Sequence, residues 1–249
     1  MRIFAISDLH VDFKVNWHWV EALSLIDYRQ DTLLVAGDIA HDLGRVAAAF
    51  EALRQRFDRV FFVPGNHELW VPGEQGNSID KFERLLALCV ECGVETRANS
   101  VGNLRVMPLF SWYSAEFDRE GRGDADALAA WGDFRFCRWP DEIESPERYF
   151  FERNDPPLPT PAQTISFSHF LPRSELLPSI ENLRFKGLPM VAGSVLLEEH
   201  IRAAEVDIHI FGHSHIPCDK ILEGVRYIQQ PLAYPKERRG RPGVLKQVV

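Results

Sequence analysis

Five short apolar runs in this chain each stop on side chains able to bind a metal ion. Ile3 to Ile6 lead to Asp8 and His10, and Leu33 to Ala36 lead to Gly37-Asp38. Val60 to Val63 lead to Gly65-Asn66-His67-Glu68, Ile165 to Phe167 to His169, and Ile208 to Phe211 to Gly212-His213-Ser214-His215. Runs rich in β-branched and aromatic residues read as strands of a buried parallel sheet. In α/β sheets, ligands bind outside the carboxyl ends of the strands. Groups distant in sequence can then converge on one rim. Two carboxylates, an amide oxygen and several imidazoles brought together there would suit a pair of divalent cations.

Strand and helix alternate through the first hundred residues. We expect strands at 2–7, 31–36, 60–63, 94–97 and 104–110, with helices at 16–28, 43–57 and 78–92. Ser78 is the expected cap of the last helix. Farther on we expect a strand at 163–168, a helix at 194–204 capped by Ser194, and a strand at 206–211. A hairpin around Glu223-Gly224 and a last strand near 244–248 complete the pattern. This βαβ rhythm predicts a parallel-rich sheet covered by helices. Residues 111–160 interrupt it with ten of the chain's 28 aromatics, and a proline-rich connector, 155–161, follows. At 249 residues the chain fits a single domain spanning 1–249, with an insertion at about 111–160 lying near the site.

Asp8-x-His10 and His213-x-His215 share one spacing. Side chains two apart on a strand point the same way, so each pair can serve one ion. Asp38 and Asn66 each follow a glycine, which lets the backbone turn sharply beside the ions. Nitrogen and oxygen ligands without thiolate suit Mn, Fe, Zn or Co.

D-x-H, G-D, G-N-H-E, a lone His and G-H-x-H, in this order from Asp8 to His215, resemble the calcineurin-like metallophosphoesterase superfamily. The resemblance implies a four-layer α/β/β/α sandwich and a dinuclear centre. By motif position Asp8, His10 and His215 would hold one ion. Asn66, His169 and His213 would hold the other, and Asp38 would bridge both. Asn66 and His67 would contact the substrate, and His67 would bind no metal. Two divalent ions over two carboxylates and a bridging hydroxide leave about +1 at the rim, an attractor for phosphate on an otherwise acidic protein. The implied reaction is phosphoester hydrolysis, with that hydroxide attacking phosphorus in line. His67 would stabilise developing charge or protonate the leaving oxygen.

His41 stands where many relatives carry an acid. Asp42 or Glu68 is the expected replacement beside His67. The arginine clamp of the protein Ser/Thr phosphatase branch is missing beside both motifs, which favours phosphodiesters or small phosphate esters over phosphoproteins. Arg135, Arg138 and Arg173 are candidates to replace it, and Trp70, Trp112 and Trp131 are candidates to line a pocket. Lys236, Arg238, Arg239 and Arg241 form a short basic loop, read as solvated, with a contact to the substrate anion as the alternative. His18, His200 and His209 read as structural or surface residues.

The net charge of −8 disfavours a nucleic-acid partner, and with it a nuclease. A non-catalytic scaffold of the same fold is disfavoured because no expected ligand is missing. No run is long enough to cross a membrane. Met1-Arg2 passes straight into a strand, so no signal peptide is expected. Cys89, Cys92, Cys137 and Cys218 make no disulfide framework, and Cys89-x-x-Cys92 reads as helix packing. A cytoplasmic protein with reduced thiols is expected. The oligomeric state is left open.

Overall fold

In the computed structural model, which describes residues 1–73, 76–160, 162–238 and 240–249, the apolar runs become strands of two sheets. β1 (Ile3–Ile6), β2 (Thr32–Ala36) and β3 (Arg59–Val63) pair in parallel in the first sheet. The second sheet contains β4 (Asn99–Val101), β5 (Leu104–Pro108), β6 (Gln163–Phe167), β7 (Ile208–Phe211), β8 (Cys218–Leu222) and β9 (Val225–Gln229), in the order β4-β5-β6-β7-β9-β8. β5, β6, β7 and β9 run parallel, and β4 and β8 flank them antiparallel. β10 (Lys246–Gln247) returns antiparallel to the outer edge of β1.

The continuous apolarity of the first three runs follows from burial on both faces. Ile3, Ala5, Leu34, Ala36, Phe61 and Val63 enter the core shared with the second sheet. The alternate residues Phe4, Ile6, Leu33, Val35, Val60 and Phe62 pack under α1 (Lys14–Glu21), α2 (Leu43–Arg54) and α3 (Ser78–Glu91). The intervening chain holds α4 (Asp133–Phe136), α5 (Pro146–Phe151) and α6 (Leu188–Val191). The second sheet turns a more polar face, with Ser166, His209 and Tyr227, toward α7 (Val195–Ala203), where the Tyr227 hydroxyl donates to Glu198. Helices outside two facing sheets give the expected four layers.

Local chemistry explains where elements begin and end, and where the expected limits need correction. α1 stops at Glu21 rather than continuing to 28, and Leu25 and Ile26 are exposed. α3 is capped by Asn77, whose side chain accepts from Ile79 and Asp80 N–H while Asp80 reaches back in a capping box. Ser78 instead donates to the Leu69 carbonyl. The strand expected at 94–97 is only a bridge from Glu95 to Phe61, and the strand that forms, β4, lies just after it. Ser194 caps α7 as expected. All four cysteines are free, and Cys89 is buried under the first sheet.

The 111–160 segment buries Trp112, Phe117 and Phe150 in the shared core. It also ties to the rim: Val71 N–H donates to the Phe136 carbonyl and Ser78 N–H to that of Arg138. Pro161 of the connector and Arg239 of the basic loop lie outside the described residues.

Candidate metal centre

Backbone bonds join the loop after β1 to that after β2, and the loop after β6 to that after β7. Asp8 N–H donates to the Gly37 carbonyl, His10 N–H to that of Asp38, and Gly212 N–H to that of His169. Asp8, His10, Asp38, His213 and His215 all take left-handed backbone conformations, with φ between 43° and 72°. Each costs a non-glycine residue about 1–2 kcal/mol. Strain concentrated on the expected ligands marks a site that the surrounding fold imposes. Gly65 has no room for a side chain: a Cβ there would lie 2.1 Å from Asp38 Oδ1 and 2.8 Å from His169 Cε1.

The expected ligands come together in two groups. Asp8, His10, Asp38 and His215 each offer one atom within 4.8 Å of the others. Beside them, Asn66 Oδ1 is 3.1 Å from both His169 Nε2 and His213 Nδ1, which are 3.2 Å apart. Asp38 spans the groups: Oδ1 is 3.6 Å from His169 Nε2, and Oδ2 is 3.8 Å from His10 Nε2. His67 Nε2 is also 3.8 Å from Asp38 Oδ2, and its ring stacks on Trp70 at 3.7 Å between centroids.

These donors fit cations. His10 Nε2 faces His215 Nε2 at 3.0 Å. His169 Nδ1 lies 2.9 Å from the Ala36 carbonyl and so carries the ring proton, which turns the Nε2 electron pair toward Asn66 Oδ1. His213 Nδ1 faces the same Asn66 oxygen at 3.1 Å. Electron pairs aimed at one another in a buried site call for positive charge between them. No cysteine belongs to the group, so the donors are nitrogen and oxygen only.

Further side chains orient the ligands. Glu237 contacts His215 Nδ1 at 2.6 Å, and Ser7 donates to Asp8 Oδ2. Buried Asp133 accepts from Asn66 Nδ2 at 2.8 Å, Trp70 Nε1 at 2.6 Å and Trp131 Nε1 at 2.8 Å. The Tyr234 hydroxyl is 3.2 Å from His67 Nε2. The acids expected beside His67 are engaged elsewhere: Asp42 caps α2 and Glu68 accepts backbone N–H groups, while His41 faces Asp12.

Glu68 has another task. Its buried carboxylate accepts the backbone N–H groups of Asp38, Ile39, Ala40 and Gly65, joining the G-D loop to the G-N-H-E loop. Glu68→Ala would orphan four buried donors and should cost about 3–5 kcal/mol of stability, together with metal affinity. Urea unfolding checks this, and a loss below about 1 kcal/mol would contradict the joint.

Charges are strongly coupled here. Burial opposes ionisation of Asp8, but the His215 ring holds its carboxyl at about 2. Burial likewise disfavours a charged His215, yet Asp8 and Glu237 raise it to about 10. Asp38 is pushed well up by burial and by its neighbours Glu68 and Asp8. Burial raises Glu68 to about 7 against its four N–H donors, and lowers His67 to about 3. An anion beside the His67 ring acts in the opposite direction.

The centre opens into a cleft of about 830 Å³. Asn66 and His67 line it with Trp70 and Trp131, whereas Trp112 is buried among Tyr113, Trp139 and Phe170. Among the described residues its arginines are Arg184 and Arg241. The earlier candidates go elsewhere: Arg173 pairs with Glu175, Glu198 and Glu223, Arg135 lies over Phe136, and Arg138 contacts the Val71 carbonyl. Asp133, Tyr234 and Glu237 belong to none of the five motifs, and only the fold brings them to the site.

The chain belongs to the calcineurin-like phosphoesterase family, whose model matches residues 1–217. It is accordingly a metal-dependent hydrolase of phosphate esters. Among curated proteins it is similar to the [acyl-carrier-protein] phosphodiesterase PptH of Mycobacterium tuberculosis, 28% identical over 276 residues that cover 99% of this chain and 83% of the relative. The crystal structure of that organism's phosphopantetheinyl hydrolase PptH superposes with a TM-score of 0.77 and 26% identity, covering 100% of this chain and 95% of the other. The uncharacterized protein L509 of Acanthamoeba polyphaga mimivirus is 33% identical over 100 residues, 36% of each chain. No helix among the described residues is long and apolar enough to cross a membrane.

Proposed function

We propose that this chain is a dinuclear phosphodiesterase that hydrolyses the ester joining a phosphopantetheinyl group to an acyl-carrier protein. Asp8, His10 and His215 hold one divalent ion, Asn66, His169 and His213 hold the other, and Asp38 bridges them. Mn, Fe, Zn and Co all suit the donors, and manganese is the first to test. The observation that carries the reading is the position of Asp38, with one oxygen toward each group. The chain is taken as one cytoplasmic domain, 1–249, with its insertion at about 111–160.

When bound, two such ions acidify water to a nucleophile and neutralise phosphoryl charge. The protein supplies the rest. Arg184 and Arg241 attract the anionic ester to the cleft. His67, beside Asp38 and steadied by Trp70 and Tyr234, is placed to assist the leaving oxygen. Trp131, Leu183, Phe185, Leu188 and Ile216 give the cleft an apolar wall suited to a slim uncharged arm attached to phosphate. Similarity to PptH supports the particular substrate.

EDTA-stripped protein should lose both cleavage of bis-p-nitrophenyl phosphate and release of phosphopantetheine from holo-acyl-carrier protein, and should regain both with Mn. Restoration of the first activity without the second would reject the carrier-protein substrate. Failure of folded, metal-loaded protein on mono-, di- and pyrophosphate esters alike would reject hydrolysis.

A further inference from the structure

An asparagine amide keeps almost the same shape when its last bond turns by half a rotation, exchanging Oδ1 with Nδ2. For Asn66 the two orientations are chemically opposite. As placed, Oδ1 faces His169 Nε2 and His213 Nδ1 at 3.1 Å each. Turned over, the side chain would offer N–H hydrogens to that position, and no cation binds there.

Asp133 selects between them. Its Oδ1 accepts from Asn66 Nδ2 at 2.8 Å, so a turned amide would set a carbonyl oxygen against a carboxylate oxygen. Asp133 cannot easily withdraw. It is 2% exposed, and the indole N–H groups of Trp70 and Trp131 grip its two oxygens from either side. It begins α4, in a segment that contributes none of the expected ligands. Through Trp70 the same carboxylate also reaches the ring stacked on His67.

We propose that Asp133 is a positioning residue that holds the Asn66 oxygen toward the second ion, so that the 111–160 segment governs occupancy of that ion. This rests on the dinuclear reading above. A carboxylate one contact away from a metal ligand typically changes affinity by about 10–100-fold.

The test is Mn titration of full-length wild type, Asp133→Ala, Asp133→Asn and Trp131→Phe, read by bound Mn per chain and by electron paramagnetic resonance. Wild type should bind two exchange-coupled ions. Asp133→Ala should bind the second about 10–100-fold more weakly and show the six-line spectrum of isolated Mn where wild type is coupled. Trp131→Phe keeps the bond from Asn66 but frees one Asp133 oxygen from its indole, so its loss should not exceed that of Asp133→Asn. Asp133→Asn can still accept from Asn66 but sets a second N–H donor against one of the indoles, so its loss should be intermediate. A general loss of structure would not weaken one ion selectively.

Two coupled ions at wild-type affinity in Asp133→Ala would overturn the inference and leave the dinuclear reading standing. If that variant does not fold, wild-type affinity for the second ion in Asp133→Asn would overturn it equally. Fewer than two ions in wild type would overturn the dinuclear reading, and this inference with it.

Discussion

Asp38→Asn protein should release both cations at concentrations that saturate wild type, and hydrolysis should disappear with them. Asp38 faces both groups of expected ligands, through Oδ1 at 3.6 Å from His169 Nε2 and Oδ2 at 3.8 Å from His10 Nε2. Asparagine keeps the size but replaces one oxygen with an N–H₂ group that repels a cation, and it removes a negative charge from between two positive ones. Removing a group that merely touches a ligand costs about 10–100-fold in affinity, so loss of a shared ligand should exceed that for each ion. The metal-free variant should be no less stable than metal-free wild type. Burial, then Glu68 and Asp8, push the Asp38 carboxyl up, and a neutral amide is free of all three penalties. Calorimetric metal titration alongside thermal unfolding separates the two effects. Two ions at normal affinity would show that the bridge is misassigned.

His67→Ala should do the reverse: keep both ions and lose turnover, by about 10²–10⁴-fold. The ring of His67 meets Trp70, the Tyr234 hydroxyl and Asp38, all on the open side of the centre. Its backbone N–H still donates to Asp38 Oδ1 when the ring is removed, so the Asp38 carboxylate keeps its orientation. Metal content measured beside kcat distinguishes this from collapse of the centre. Loss of an ion in the variant would place the ring among the ligands.

The rim was legible because its parts are local in sequence: a run that reads as a strand, then a ligand, and in three of the five cases a glycine between them. Close packing explains the glycine at Gly65, where a methyl group would meet Asp38. The supports were not legible because their partners lie far away. Glu68 stands next to His67 in sequence but binds the backbone of residues 38–40. Asp133 is one acid in an irregular aromatic segment, and only the fold shows three N–H donors converging on it. Arg184 reaches the cleft from a loop with no motif and Arg241 from the basic loop, whereas Arg173, closer to a motif, is drawn into an acidic cluster. The helix limits failed for a similar reason. Leu25 and Ile26 continue an apolar pattern that the fold leaves in solvent, and Ser78 is a good cap whose hydroxyl is taken by Leu69.

The most direct measurement is an anomalous difference map at the manganese edge from crystals grown with excess Mn. Two peaks about 3.5–4 Å apart are expected, one beside Asp8, His10 and His215, the other beside Asn66, His169 and His213, with Asp38 between. A single peak, or none within reach of Asp38, would contradict the dinuclear centre.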